Sequence, residues 1–520
     1  MKRVVIVGGG VTGLTTAVNV LEKAESAGAD VEVVVLEAGP APGGNIRTER
    51  AAGYTIENGP NGFLDNAPRT LELVRRIGLE DALLPADETA GKRFIYRGGT
   101  LHEVPTGPVG FLRSGLLSLR GRLRVFAEPF ARSRPDDIDE TIYDFAARRI
   151  GPEAASVLID AMVSGVFAGN VHELSLRSSF PKMAKMEAEH GGLVKAMIAR
   201  MKERRAAKKE VAARRARGED VEELTAPGGP AGPGGHLTSF EDGLDTLIRG
   251  LVDALPAGTV RTDAPVASVT RGPGRSGPGS PAGPRDPAGT PAGPAEGAVG
   301  GPGGPTDRPW RVTLADGDVI GADAVVVTIP SPRAAPLVRE LDTELSETVA
   351  AIETAGLAVV AMAWDAAAVP DADGFGFLVP RGEGPRILGC LWDSSIFPGR
   401  APDGKVLLRC MIGGAHDPAA VSEPGGVLLR QCRADLEDAM GITAEPELTR
   451  VYRWPLGIGQ YTVGHRDRMD AIHRRLEAHP GLWVAGSSYY GVAMNACIEK
   501  AWDQADEIVA HVRAGAPAAG

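Results

Sequence analysis

VVIVGGGVTG (residues 4–13), then VEVVVLEA (31–38) and PGGNIRT (42–48), decide how this chain folds. Residues 4–7 are apolar and β-branched, as a strand buried on both faces requires. Gly8, Gly10 and Gly13 come next at G-x-G-x-x-G spacing. Gly8 permits a tight turn, Gly10 lets the backbone approach a pyrophosphate, and Gly13 lets a helix over residues 14–27 pack on the sheet with its N-terminal dipole toward the phosphates. The second strand ends at Glu37, beside Ala38, where a carboxylate accepts from both ribose hydroxyls and repels a 2′-phosphate. A lone glycine fingerprint is weak. Strand, fingerprint, helix, strand and acid in this order read as a holder for the ADP half of a dinucleotide, with Gly8, Gly9, Gly10, Val11, Thr12 and Gly13 facing it.

The residues beyond Glu37 favour FAD over NAD. Gly43 and Gly44, with Asn45, lie just past the acid, and a second loop, Gly59-Pro60-Asn61-Gly62, comes soon after. A dinucleotide released on every cycle has little need of these extra backbone contacts. The stretch LWVAGSSYYGVAMNACIEKAWDQADEIVAHV (482–512) reads as strand, Gly-rich turn and helix, placing a second helix N-terminus near 492–495 to face an isoalloxazine. An ordinary strand-turn-helix reads the same stretch equally well.

The 520 residues carry a net charge of −11, which argues against a general nucleic-acid partner. No apolar run reaches the roughly 18 residues that span a bilayer, and the glycines and Glu22 break up the N-terminal apolar stretch, so the expected location is the cytoplasm. The four cysteines show no C-x-x-C pair, so neither a zinc site nor a disulfide framework is expected, and no metal.

The expected fold is α/β. A Rossmann-like FAD-binding domain is assembled from residues 1–90, 236–271, 306–335 and 456–520; an α+β substrate domain comes from 91–110 and 336–455; a helical domain, 111–205, is inserted. Residues 206–235 read as a basic helix and flexible linker, with eight Lys/Arg against two Glu over 201–217. Residues 272–305 are almost wholly Gly, Pro, Ala, Ser and a few charges, the composition of a disordered insert, and interrupt two alternating strand patterns at 266–270 and 310–314. ADAVVVTIP (322–330) reads as another buried strand of the nucleotide domain. LAVVAMAW, FGFLVP, RILGCLW and KVLLRCMI, between 355 and 412, read as an antiparallel sheet flooring a substrate cavity.

Four further elements, KRFIYRGGTLHEVP (92–105), SGVFAGNVHELSLRSSFPKM (164–183), RW...QY.VGH (453–465) and GVAMNACIEKA (491–501), run nearly the length of the chain. With the nucleotide motifs, they resemble the oxygen-dependent porphyrinogen oxidases of haem biosynthesis, flavoproteins of the amine-oxidase superfamily. The resemblance implies an amine-oxidase-like topology, FAD, and removal of six electrons from a porphyrinogen in three two-electron steps, each ending in hydrogen peroxide. Such chemistry needs orientation and exclusion of water rather than a dedicated acid or base, so no catalytic side chain is assigned; His102, His172 and His465 read as solvated or core histidines. By the same resemblance Arg93 would grip a substrate propionate, Gly169 would let the backbone approach the tetrapyrrole or merely make a turn, Val266 and Ser487 would meet FAD through the backbone, and Val492, Ala493 and Met494 would line the isoalloxazine turn. The chain departs from the family at Asn61, where some members carry Arg or Asp, at Gly459, where Pro is common, and at Ala496, in place of Asp.

Coproporphyrinogen III carries four propionates and protoporphyrinogen IX two. The Ala, Gly, Pro and Arg-rich composition suits a high-GC bacterium, and single-chain Gram-positive enzymes of this kind favour the former, which is the expected substrate. Arg113, Arg120, Arg122, Arg124, Arg132 and Arg134 read equally as a cavity rim, a peripheral membrane surface or a solvated helix. A ferrochelatase or other haem-pathway partner, and a monomer or homodimer, stay open. Two rivals remain: an amine oxidase or carotenoid desaturase, the former needing an aromatic cage from Tyr489 and Tyr490, and a flavoprotein without catalysis.

Overall fold

A computed structural model describes residues 1–134, 138–216, 235–272, 308–370 and 372–515. Nearly all of the 272–305 insert and of the 227–235 connector lies outside the described residues.

Five parallel strands form the nucleotide-binding sheet: β1 (Lys2–Val7), β2 (Val31–Leu36), β3 (Val260–Arg261), β4 (Ala324–Val327) and β5 (Leu482–Val484), in the order β3-β2-β1-β4-β5. Their side chains alternate between two cores. Val4, Ile6, Val33 and Val326 pack against helices α1 (Val11–Ser26) and α2 (Met494–Ala514) through Leu14, Val20, Ile498 and Ile508. Val5, Val7, Val34 and Val327 pack on the opposite side against Trp310, Val312, Leu345, Val349 and Ile472. The two strands flanking the insert, Val266–Arg271 and Trp310–Leu314, pair antiparallel with Arg271 opposite Trp310. The helices Ser331–Leu337 and Thr343–Ala350 also join this second core, so the nucleotide unit continues to Ile352, past the expected boundary at 335.

The second unit is a seven-stranded sheet. Its order is β12-β8-β11-β10-β9-β6-β7, with β6 (Phe94–Arg97), β7 (Thr100–Glu103), β8 (Thr354–Asp365), β9 (Gly376–Leu378), β10 (Gly389–Leu391), β11 (Lys405–Gly413) and β12 (Leu448–Gly459). It is antiparallel except for the parallel pair β9–β6. One face, carrying Val360, Met362, Cys390, Leu408 and Cys410, is covered by the helix Gly425–Met440 through Leu428, Cys432 and Leu436. By the two-residue period of a strand, Leu357, Leu378, Leu391, Arg409 and Met411 lie on the other face. Mostly short helices, beginning with Pro108–Arg113 and ending in the long helix Leu193–Ala216, make up the helical region.

Candidate active site

Helix α1 starts one residue after Gly10 and no side chain caps it, so its first backbone N–H groups and the positive end of its dipole are left for another partner. Gly8 holds φ +112°, in the region glycine tolerates, and Thr328 Oγ1 donates to Val7 O (2.9 Å) and Gly8 O (3.1 Å) to fix the turn. A Cβ on Gly13 would lie 2.0 Å from Gly8 O, so here glycine is a packing requirement. A Cβ on Gly10 would meet nothing nearer than Gly44 Cα at 3.9 Å. Space in front of the helix end is therefore bounded by Gly10 and by Gly44 of the next loop, held there because Gly43 N donates to Gly9 O (2.8 Å).

Glu37 stands beside this space. Its carboxylate accepts from Gly9 N (2.9 Å) and Gly39 N (2.8 Å), and its backbone O accepts from Ala264 N (2.9 Å), two residues before Val266. One oxygen lone pair on each side stays available to a ribose. Asn45 Nδ2 donates to Gly457 O (2.9 Å), and a Cβ on Gly59 would lie 2.3 Å from Asn45 O, so the 43–45 and 59–62 loops touch.

The C-terminal turn brings a second uncapped helix end to the first. Helix α2 begins at Met494 with Ala493 as its uncapped N-cap. Cys497, in its first turn, contacts Thr12 in the first turn of α1, and burial pushes its thiol up to about 11. Ser487 O accepts from Tyr461 Oη (2.6 Å), and Val492 packs against Phe167, Val171 and Leu174 of the helical region. Two helix N-termini meeting beside glycines where a Cβ has room only if nothing else is bound fit the pyrophosphate and ring of FAD. Gly8 to Gly13, Glu37, Asn45, Ser487 and the 492–494 turn are the residues that would hold it.

The other face of the seven-stranded sheet lies next to this cradle. Arg409 is fully buried in it and donates to Glu57 O (2.5 Å), Gly59 O (3.1 Å) and Asn61 Oδ1 (2.8 Å), while pairing with Asp393. Trp454 Nε1 donates to Asn58 O (2.6 Å). The sheet thus fixes the Gly59-Pro60-Asn61-Gly62 loop. Burial raises the carboxyls of Asp393 and Glu57, against the pull of Arg409 and Arg400 respectively.

Arg93 precedes β6, and its guanidinium lies 5.0 Å from the Phe375 ring centre. It is exposed, and no acid pairs with it among the described residues. Gly169 is buried; a Cβ there would come within 2.6 Å of Gln460 Oε1 and of Leu174 Cδ1, so its smallness serves packing at the 168–170 turn. His465 is buried, stacked 4.2 Å from Tyr461 and bonded to Tyr489 O (3.1 Å), and burial lowers its pKa. His172 stacks on Tyr143, and His102 meets Thr100 and Arg97 O. Tyr489 is buried in the second core and Tyr490 bonds His473 (2.7 Å), so neither supplies an aromatic cage. An open cleft of about 630 Å³ lined by Leu21, Glu22, Arg76 and Pro256 lies outside α1 and shares none of these residues.

Sequence reading missed Arg409, Trp454, Gln460 and Tyr461 as supports. The alternation of β11 could have marked Arg409, a charge in an otherwise apolar strand.

Fold and site together define a flavoprotein oxidoreductase built around FAD. The chain belongs to the flavin-containing amine oxidoreductases, whose family model matches residues 11–281 and 304–509. It is 29% identical over 509 residues to the coproporphyrinogen III oxidase of Bacillus subtilis (strain 168), covering 96% of each chain. It is 30% identical over 519 residues to the protoporphyrinogen oxidase of Homo sapiens, again covering 96% of each. A crystal structure from Exiguobacterium sp. 255-15, assigned provisionally to protoporphyrinogen oxidase, superposes with TM-score 0.75 at 26% identity over 98% of this chain and 99% of that one. Cyclohexylamine oxidase from Brevibacterium oxydans IH-35A shares the fold, with TM-score 0.62 at 15% identity over 98% of this chain and 99% of that one.

Proposed function

We propose that this protein oxidises a porphyrinogen, coproporphyrinogen III in preference to protoporphyrinogen IX, to the aromatic porphyrin in haem biosynthesis. Bound FAD supplies the two-electron acceptor, which O2 regenerates with release of hydrogen peroxide. The chain's own work is binding, orientation and exclusion of water. On that other face of the seven-stranded sheet Leu357 and Met411 are half-buried apolar side chains that suit a macrocycle, while Leu378 packs against the helical region and Leu391 against Ile396 and Phe397, and no histidine described above stands free as a proton carrier. Arg93 is the observation that carries the reading: an exposed guanidinium without an acid partner among the described residues, on an aromatic ring at the edge of that face, matches a propionate. Full-length similarity to porphyrinogen oxidases of both substrate types supports the class. Initial rates of the purified protein with each porphyrinogen test the preference; equal or reversed rates overturn the choice of substrate.

A peripheral contact with an anionic bilayer, from the cytoplasmic side, is the second part of the proposal. Leu119, Leu123 and Phe130 are more than half exposed (63, 57 and 89%), and Arg113 and Arg120 beside them have no side-chain partner among the described residues. Arg122, Arg124 and Arg134 are instead engaged by Leu112 O, by the carbonyls of Arg148 and Arg149, and by Glu140. Among the described residues no helix is long and apolar enough to cross a membrane. Sedimentation with phosphatidylglycerol vesicles checks it; failure to sediment at low salt removes the membrane contact.

A further inference from the structure

We propose that Tyr461, with Gln460 beside it, is a positioning residue that locks the cofactor-side turn and ties it to the turn around Gly169. The Tyr461 hydroxyl has both of its roles used within one turn: it donates to Ser487 O (2.6 Å) and accepts from Gly491 N (2.7 Å). A phenol has one proton to donate, and burial raises its pKa, so the donor is kept. These two backbone groups bracket the stretch leading into α2, whose uncapped end faces the nucleotide cradle. Gly491 takes φ +143°, a conformation that side chains rarely adopt, and the hydroxyl helps hold it there.

The same two residues reach the other way. Gln460 is 5% exposed; its Nε2 donates to Phe167 O (2.9 Å) and Ile458 O (3.1 Å), and its Oε1 fills the space a Cβ on Gly169 would need. The backbone O of Tyr461 accepts from Ser175 N (2.8 Å), and its ring stands edge-on to Phe167 at 6.5 Å. His465 stacks under the ring and fixes its plane. Two adjacent side chains thus span the cofactor turn at 487–491 and the 167–175 segment. On the other side of the junction Val492 closes the link by packing against the cluster that holds Phe167, Val171 and Leu174. A shift of either turn must be transmitted to the other, because both share buried, hydrogen-bonded anchors with no slack atom between them.

The assignment of the 167–175 segment to the substrate rests on the proposed function, whereas the hold on the cofactor turn does not. The experiment therefore reads FAD binding first, without porphyrinogen. Apoprotein of wild type, Tyr461→Phe and Gln460→Leu is titrated with FAD, following flavin fluorescence and the visible spectrum, and the apoprotein melting temperature is recorded. Tyr461→Phe is expected to weaken FAD about tenfold and to shift the bound flavin spectrum, with apoprotein melting unchanged. Unchanged FAD affinity and spectrum overturn the inference, and so does a lowered melting temperature with unchanged affinity, which is what a purely structural tyrosine gives. The double variant tests the tie between the turns: a loss of FAD affinity smaller than the product of the two single losses supports one shared unit, and a simple product overturns it. Porphyrinogen KM is then measured in the FAD-saturated Gln460→Leu enzyme. A rise of about tenfold with kcat little changed supports the substrate-side role, and an unchanged KM removes that role while leaving the cofactor result intact.

Discussion

Gly10→Ala separates the cofactor's demand for glycine from the fold's. Gly10 has φ −77° and ψ 177°, which alanine adopts without strain, and the new methyl would meet only Gly44 Cα at 3.9 Å. The apoprotein should therefore melt where wild type melts, or slightly higher, since Gly→Ala at a compatible site adds about 0.4–1 kcal/mol by restricting the unfolded chain. The same methyl stands at the uncapped end of α1. A phosphate oxygen approaches a backbone N–H to about 2.9 Å but a methyl carbon only to about 3.5–4 Å, so the pyrophosphate is held back by roughly 1 Å. Losing one charge-assisted hydrogen bond, worth about 1.5–3 kcal/mol, raises the Kd for FAD roughly 10- to 100-fold. Fluorescence titration of apoprotein with FAD and thermal melting without it measure the two effects separately. A Kd within twofold of wild type refutes the placement of the pyrophosphate at Gly10; a marked fall in apoprotein stability refutes the claim that this glycine is spared by the fold. Gly13→Ala is the contrast, because its Cβ would press on Gly8 O and destabilise the fold with or without FAD.

Arg93→Ala should raise the porphyrinogen KM about 10- to 100-fold, the worth of one or two charge-assisted hydrogen bonds, with FAD affinity unchanged; steady-state kinetics on FAD-loaded protein checks it. His465 is held neutral by burial, so its folded pKa lies below the unfolded value of 6.5 and its contribution to stability is present above that value and lost as pH falls through the folded one. Wild type should consequently lose up to about 1.4 kcal/mol per pH unit below pH 6.5 relative to His465→Gln, seen as converging melting temperatures between pH 7.5 and 5.5. Replacing residues 273–307 by a two-residue turn should leave FAD content unchanged, since Gly272 N already donates to Pro309 O (2.9 Å) where the two strands meet; loss of flavin from the purified protein would show that the segment matters.

The nucleotide unit was legible because its signals are local. Strand, glycine turn, helix and acid occur in order within 37 residues, and each needs only its neighbours to be understood. Helix α1 starts at Val11 rather than at the expected residue 14, because Gly10 is itself the helix boundary. Strand alternation likewise announced the second sheet, although the parallel pairing of β9 with β6 joins residues about 280 apart and leaves no local trace. The helix 343–350 lies beyond the expected boundary at 335, which also cuts the end of helix 331–337, for the same reason: its apolar residues fit either core until the chain path is known. The supports of the site were hidden because they act across domains. Arg409 reads as an odd charge in an apolar strand until Glu57, Gly59 and Asn61, some 350 positions earlier, are seen to surround it. Tyr461 stands in the quoted RW...QY.VGH element, but its role is not legible until Ser487 and Gly491 close on its hydroxyl.

Whether this chain holds FAD so that a porphyrinogen is oxidised and O2 becomes peroxide is tested most directly by aerobic turnover. Purified FAD-loaded protein is given coproporphyrinogen III, and porphyrin fluorescence is followed while hydrogen peroxide is quantified in the same cuvette. Three peroxides for each coproporphyrin formed, with formation stopping when O2 is removed, is the expected result. Flavin-loaded protein that yields neither porphyrin nor peroxide above the rate of spontaneous oxidation, with this substrate and with protoporphyrinogen IX, would contradict it.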